Sequence, residues 1–278
     1  MAPSIADPEV RAGKVLLILT VVALSCAADT MALNLTCERP AAVVTGAVPP
    51  EYTGKLIALP GSDNTRWHLS DFVELATAQL PGFELEYRPW GIPFLIVPNL
   101  QAHERNTATA LQLAEEIVQW RRDHPDELLY LFGYSGGAGL AAMIVSELPE
   151  DVNVDRLVMM APAISLDFPI EERVLPRVTE FAVSYASNFD VQVDWGTRTF
   201  GTIDRVNGAG AGSRGFNSAD PRLLQWHWTV SDRAWGHRGN HRSYLGSRWQ
   251  SVFLLPALDP RLSADDVRAR WVRRCEAR

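Results

Sequence analysis

A chain of 278 residues with 47% hydrophobic side chains is long enough to bury one large core and short enough to fold as a single main domain. Its 26 Lys and Arg stand against 33 Asp and Glu, a formal charge of −7. That balance argues against a nucleic-acid partner, because phosphate binding draws its affinity from neutralising positive charge. It fits a neutral or weakly polar small molecule better.

The N-terminal end carries an almost unbroken apolar run over 15–28, preceded by Arg11 and Lys14. About 14 apolar residues match the hydrophobic region of an export signal, whereas a membrane-spanning helix needs roughly 20. Small residues follow at Ser25, Ala27 and Ala28, and Cys26 stands where a bacterial lipoprotein signal places its lipidated cysteine. The expectation is an export signal over 1–28, an N-terminal extension over 29–53, and a mature chain in the cell envelope: periplasmic, lipid-anchored or secreted. Membrane anchoring through an uncleaved N-terminus is the alternative. Cys26, Cys37 and Cys275 are too few for a disulfide framework and too scattered for a metal site. Whether Cys37 and Cys275 pair stays open, since an oxidising compartment allows it and two free thiols are equally consistent. No metal and no cofactor is expected.

From residue 54 onward, short β-rich runs alternate with longer helical ones, an order that predicts an α/β domain with a mostly parallel sheet flanked by helices. The chain reads as strand over 54–59 ending at Pro60-Gly61, helix over 69–79 ending at Pro81-Gly82, and strand over 83–87. Residues 107–122 carry Ala110, Leu111, Leu113, Ala114, Ile117 and Val118 on one stripe, an amphipathic helix that stops before His124-Pro125. Strand over 127–133, helix over 137–148, and strands over 154–161 and 178–186 follow. The short connection before the last of these leaves no room for a large cap domain. Glycines at 208, 210, 212 and 215 predict a mobile loop over 207–215 that could cover a site. A last helix is expected over 243–258, closing a catalytic domain of 54–258. The basic tail of 259–278, with Arg261, Arg268, Arg270, Arg273, Arg274 and Arg278, reads as a solvated helix face.

The strongest chemical signal is Gly133-Tyr134-Ser135-Gly136-Gly137, set between the apolar run 128–132 and the small-residue helix that starts at Gly137. A serine that attacks a carbonyl above a sheet must leave a strand, turn sharply and expose its Oγ at a helix start. Residues two before and two after it then touch, so they must be minimal, and both are glycine here. The N–H of Gly136 can point into an oxyanion hole, with the helix dipole favouring negative charge there. A plain glycine-rich turn with a structural serine is the bland reading. A phosphate-cradling loop would need a Lys after the glycines, and there is none. The second oxyanion donor should come from the loop after an earlier strand, and Leu59-Pro60-Gly61-Ser62 occupies that place, with the Ser62 N–H preferred.

These residues, together with Gly133–Gly139, Ala161-Pro162-Ala163, Phe200-Gly201-Thr202-Ile203-Asp204-Arg205 and Gly239-Asn240-His241, resemble the α/β hydrolases. More narrowly, the chain is similar to esterase- or lipase-like bacterial homologues of undefined substrate over 54–258. It departs from them by Ser62-Asp63-Asn64 after the Pro-Gly and by Asn240. The resemblance implies the chain order Ser, then Asp or Glu, then His. Asp190, just after the strand 178–186, is the preferred acid, with Asp194 and Asp204 as rivals. His68, His103 and His124 precede the serine or lie apart from that order. His227, between Trp226 and Trp228, reads as a core or edge residue. The base is then His241 or His237, and Gly239-Asn240 before His241 favours it, because such residues tolerate the backbone bend that brings a loop over the serine.

The function expected is hydrolysis of a carboxylic ester or thioester of small-molecule or lipid-like kind, through an acyl-enzyme on Ser135. An acyltransferase would use the same triad with an alcohol in place of water. A catalytically inactive envelope binding protein on this fold is the third possibility.

Overall fold

A computed structural model describes residues 35–37, 46–271 and 275–277. The expected export signal and Cys26 lie outside the described residues.

Strands buried on both faces must be covered by helices on both sides, and the sequence supplies such strands in succession. They are β2 (Gly54–Leu59), β3 (Phe83–Tyr87), β4 (Leu128–Tyr134), β5 (Val154–Met160), β6 (Val178–Ala186) and β7 (Leu223–His227). They form one six-stranded sheet in the order β3-β2-β4-β5-β6-β7, every pair parallel. Separately, β1 (Leu35–Cys37) pairs antiparallel with β8 (Cys275–Ala277), a register that sets Cys37 opposite Cys275.

Within β4 the alternation of side chains divides the core. Leu129 and Leu131 join one cluster, with Leu113 and Ile117 of α3 (His103–Asp123) and Leu140 and Ile144 of α4 (Gly136–Ser146). Tyr130 and Phe132 join the other, with Phe72 of α1 (Ser70–Gln79), Trp226, Trp249 and Phe253. The last helical stripe lies in α7 (Ala264–Trp271), which buries Val267 in this second cluster. In the described part of the basic tail, Arg261 pairs with Asp259 at 2.7 Å and Arg268 with Asp265 at 3.0 Å.

Two sequence expectations are corrected. The segment 207–215 is packed and does not reach the cavity described below. Ala211, Gly212 and Ser213 are buried in α6 (Ala211–Arg214), and Gly210 bridges to Ser165. The glycines serve close approach: a Cβ on Gly212 would lie 2.4 Å from the Ala161 carbonyl carbon. The single helix expected over 243–258 is instead a chain of short turns: a 3₁₀ turn at His241–Leu245, one α turn at Ser247–Trp249, a wide turn at Gln250–Leu254 and a last 3₁₀ turn at Leu255–Leu258. Gly246 interrupts the first and Pro256 enters the last, and each removes what an unbroken helix needs. Two helices were not anticipated, α2 (Ile96–Gln101) and α5 (Val191–Phe200). Both lie at the carboxyl end of the sheet.

Arg156 locks the second core layer to the sheet. Its buried guanidinium bonds Glu180 at 2.6 Å and the carbonyls of Asp259 and Leu262 at 2.7 and 2.8 Å, between the rings of Phe181 and Tyr130. Arg156→Leu removes the guanidinium donor from the Leu262 carbonyl and from Glu180, and leaves the Asp259 carbonyl with the Leu262 N–H alone. Urea unfolding is expected to show a loss of about 3–5 kcal/mol, the scale for breaking a buried charged network.

Candidate active site

The sheet's parallel register ends several strands on one edge, where open α/β sheets receive ligands. Ser135 stands there between β4 and α4, at φ 56° and ψ −120°. This is left-handed backbone for a residue with a Cβ, a conformation that persists only where the surroundings impose it. They do. The Ser135 N–H donates to the Met160 carbonyl at 2.8 Å, and the Ser135 carbonyl accepts from Ala138, Gly139 and Ala163. A Cβ on Gly133 would lie 2.4 Å from the Gly137 carbonyl oxygen, and one on Gly137 would lie 2.1 Å from that of Pro60. The two glycines flanking the serine are therefore required by contact, as the sequence pattern anticipated.

Asp190 is fully buried at the N-terminus of α5, where one carboxylate oxygen accepts the Val193 N–H at 3.1 Å. The other accepts from His241 Nδ1 at 2.7 Å. A carboxylate partner fixes the proton on Nδ1 and leaves Nε2 as the free acceptor. The His241 ring stacks on Tyr134, the residue before Ser135, at 4.8 Å and 22°. The Tyr134 hydroxyl donates to the His241 carbonyl at 3.0 Å. Burial, and then the nearby Asp190, hold the Tyr134 phenol well above its ordinary pKa, so it remains a donor. Ser135 and His241 open on one cavity. Among the described residues neither Ser135 Oγ nor His241 Nε2 has a hydrogen-bond partner, an arrangement common before substrate tightens the site.

The rival residues have other occupations. His237 is fully buried, its Nδ1 accepting from the Gly239 N–H at 3.1 Å and its ring set edge-on to Tyr244 at 4.3 Å. Asp204 accepts the Ser165 N–H at 3.0 Å, and Asp194 pairs with Arg198 at 3.2 Å. Neither carboxylate meets a histidine among the described residues. His227 ends β7, where burial lowers its pKa.

On the other side of Ser135, the Gly61 carbonyl accepts the Asn64 N–H at 2.8 Å and closes a tight turn. Ser62 packs against Gly136, where a Cβ would lie 2.1 Å from Ser62 Oγ. The N–H groups of Ser62 and Gly136 have no acceptor among the described residues, and the buried Ser62 Oγ has no partner either. A pair of adjacent unpaired amides beside the half-buried serine can hold a negatively charged oxygen. Next to them, Asp63 accepts from His68 Nδ1 at 2.6 Å and from the Thr65 hydroxyl. Burial alone would push the Asp63 carboxyl up, but these bonds and the His68 charge bring it below the ordinary value.

The cavity holds about 390 Å³, within the range of small-molecule sites. Phe94, Leu95 and Ile96 form one wall and Val193, Trp195 and Phe200 another. Phe94 is 75% exposed at its rim. Sequence reading did not place these walls. The run 92–98, apolar and interrupted by Pro93 and Pro98, was the available signal, since it suits neither a strand nor a long helix. No three His, Cys, Asp or Glu among the described residues are grouped to hold a metal ion.

Gly137→Ala brings a methyl group into the Pro60 carbonyl. It is expected to yield destabilised or insoluble protein, read by circular dichroism and thermal melting, whereas Gly196→Ala, which has open space around the new methyl, should melt as the wild type does.

No family model matches the chain, and neither does any curated protein. Among solved structures it is similar to the RedJ thioesterase of the prodiginine pathway in Streptomyces coelicolor, at 16% identity and a TM-score of 0.40 over 81% of this chain and 91% of that one. It is also similar to a cutinase-like protein from Cryptococcus sp., at 15% identity and 0.40 over 77% and 98%. Aspergillus fumigatus lipase B gives 13% and 0.46 over 84% and 63%. The chain's own topology, six parallel strands with a strained serine between β4 and α4 and an Asp–His pair following in chain order, is that of an α/β-hydrolase fold.

Proposed function

We propose that the protein is a serine hydrolase that cleaves a carboxylic ester or thioester through an acyl-enzyme on Ser135. The observation that carries this reading is the strained Ser135 facing the same cavity as a His241 imidazole held by buried Asp190. His241 Nε2 takes the proton from Ser135 Oγ as the oxygen attacks the carbonyl carbon. The tetrahedral oxyanion accepts from the Gly136 and Ser62 N–H groups. Asp190 stabilises the imidazolium, which then protonates the leaving alcohol or thiol. A water molecule, deprotonated by His241, attacks the acyl-enzyme and returns Ser135 to its starting state. No step in this sequence calls for a cofactor.

The apolar walls support a substrate with a hydrocarbon acyl group, because each buried methylene is worth about 0.8 kcal/mol. For p-nitrophenyl esters, kcat/KM is expected to rise with acyl length until the chain outgrows the cavity. A flat profile from acetate to decanoate would count against these walls as the acyl site.

Covalent chemistry gives the direct test. A fluorophosphonate is expected to label Ser135, and Ser135→Ala to abolish both labelling and turnover. His241→Ala should lower kcat by about 10³-fold or more, the scale for losing a triad member. His237→Ala is expected to lower the melting temperature instead and leave the kcat of the folded fraction close to wild type. An intact wild type that neither labels nor cleaves short esters would overturn the hydrolase reading.

The apolar run over 15–28 supports location in the cell envelope. Intact-mass analysis of the exported protein is expected to find a mature chain beginning near 26–29.

A further inference from the structure

Asn99, in α2, is fully buried, and its side-chain amide makes four hydrogen bonds. Nδ2 donates to the carbonyls of Ser62 and Ile92, both at 2.7 Å. Oδ1 accepts from the Ile92 N–H and from Arg105 Nη2, both at 2.9 Å. Its backbone carbonyl is held by Asn106 Nδ2 at 2.7 Å. The space is closed around it, since a Cβ on Gly91 would lie 2.7 Å from Asn99 Cγ.

The bond to Ser62 is one of a set. The Trp90 indole donates to the Pro60 carbonyl at 2.8 Å, the Trp90 N–H to Asn64 Oδ1 at 2.9 Å, and the Phe94 N–H to the Asp63 carbonyl at 2.7 Å. The loop 60–64 is thereby strapped to the segment 90–99. Ser62 lies between two fixed peptide planes. The plane that carries its N–H is set by the Gly61–Asn64 turn, and the plane that carries its carbonyl is set by Asn99. The same amide grips both backbone groups of Ile92, two residues before the cavity wall begins.

We propose that Asn99 is a positioning residue that aims the Ser62 N–H at the oxyanion and ties that aim to the cavity wall at Phe94–Ile96. This inference rests on the hydrolase reading. A displacement near 1 Å in such a donor costs about 10²-fold in rate. Of the bonds Asn99 makes, the one to the Ser62 carbonyl reaches the loop beside Ser135, so its effect passes through Ser62.

Asn99→Asp is the discriminating variant. It keeps the shape, and Arg105 supplies the new carboxylate with a cation, but an oxygen replaces the donor that faces the Ser62 carbonyl. The expected result is a fall of roughly 10²-fold in kcat on a short p-nitrophenyl ester with little change in KM. Affinity for an arylboronic acid, which forms a tetrahedral oxyanion adduct on Ser135, should fall in parallel with kcat. Asn106→Ala, which loosens Asn99 from behind without touching Ser62, should lower the melting temperature and keep kcat within about twofold, as surface and packing changes remote from a site do. If Asn99→Asp does not fold, Asn99→Ser is read in the same way. Unchanged kcat and boronate affinity in the Asn99 variant would overturn the proposal, as would an equal loss of kcat in Asn106→Ala. A wild type that is neither labelled by fluorophosphonate nor active on esters would overturn the hydrolase reading and the inference together, which separates that failure from the other two.

Discussion

The backbone approach at Ser135 is the constraint around which the rest of the molecule is arranged. Gly133 and Gly137 lie against each other, and Gly137 also lies against the Pro60 carbonyl, at distances that admit no Cβ. This contact brings the end of β2 onto the start of α4, so the loop after β2 arrives beside the serine with its Ser62 N–H unpaired. The small residues of α4 follow from the same requirement. Every residue of that helix is buried, and Gly139 would meet Ile203 at 2.7 Å if it carried a Cβ. A serine at φ 56° costs of order 1–3 kcal/mol, which the packing of β4 into both core clusters and of α4 into the first offsets.

Electrostatics reach the site through burial. A fully buried carboxylate persists only when its lone pairs are met, and Asp190 receives the Val193 N–H and the His241 ring. Placing it at the start of α5 adds the favourable end of a helix. Tyr134 completes the arrangement from the strand that leads into Ser135, stacking on the imidazole and holding its backbone carbonyl. The serine's neighbour in sequence is thus the histidine's neighbour in space. His237, four residues earlier, is absorbed into the aromatic layer of Trp226, Tyr244 and Trp249, where it orders the loop that carries His241.

The cavity above these groups is built from two segments with different supports. One wall stands on α5, the helix that Asp190 caps, so the acid and that wall move together. The other stands on the segment 90–99, fastened by buried asparagines and the Trp90 indole to the loop 60–64. Polar clasps of this kind fix loops in the way that packing fixes helices, because each unmet donor or acceptor would cost about 1–3 kcal/mol.

The sequence by itself determined what depends on neighbours in the chain. Runs of apolar residues bounded by Pro and Gly placed β2 to β6, and the glycine spacing around Ser135 located the strained turn, because both arise from local sterics. Asp190 and His241 were legible through their order along the chain and the turn residues before His241. The structure places them 2.7 Å apart. What only the tertiary structure decided were relations between distant segments. Glycines at 208–215 read as looseness, yet Gly212 permits tight packing on Ala161 and Gly215 on Gln225, since a missing side chain serves either purpose until a partner is known. The expected helix over 243–258 gave way to successive turns because Gly246 and Pro256 break it, while the aromatic core keeps Trp249 and Phe253 buried in spite of that. Asn99 carried no local signal, because an amide gains its meaning from the two loops it joins, 37 residues apart in the chain at Ser62 and adjacent in the fold.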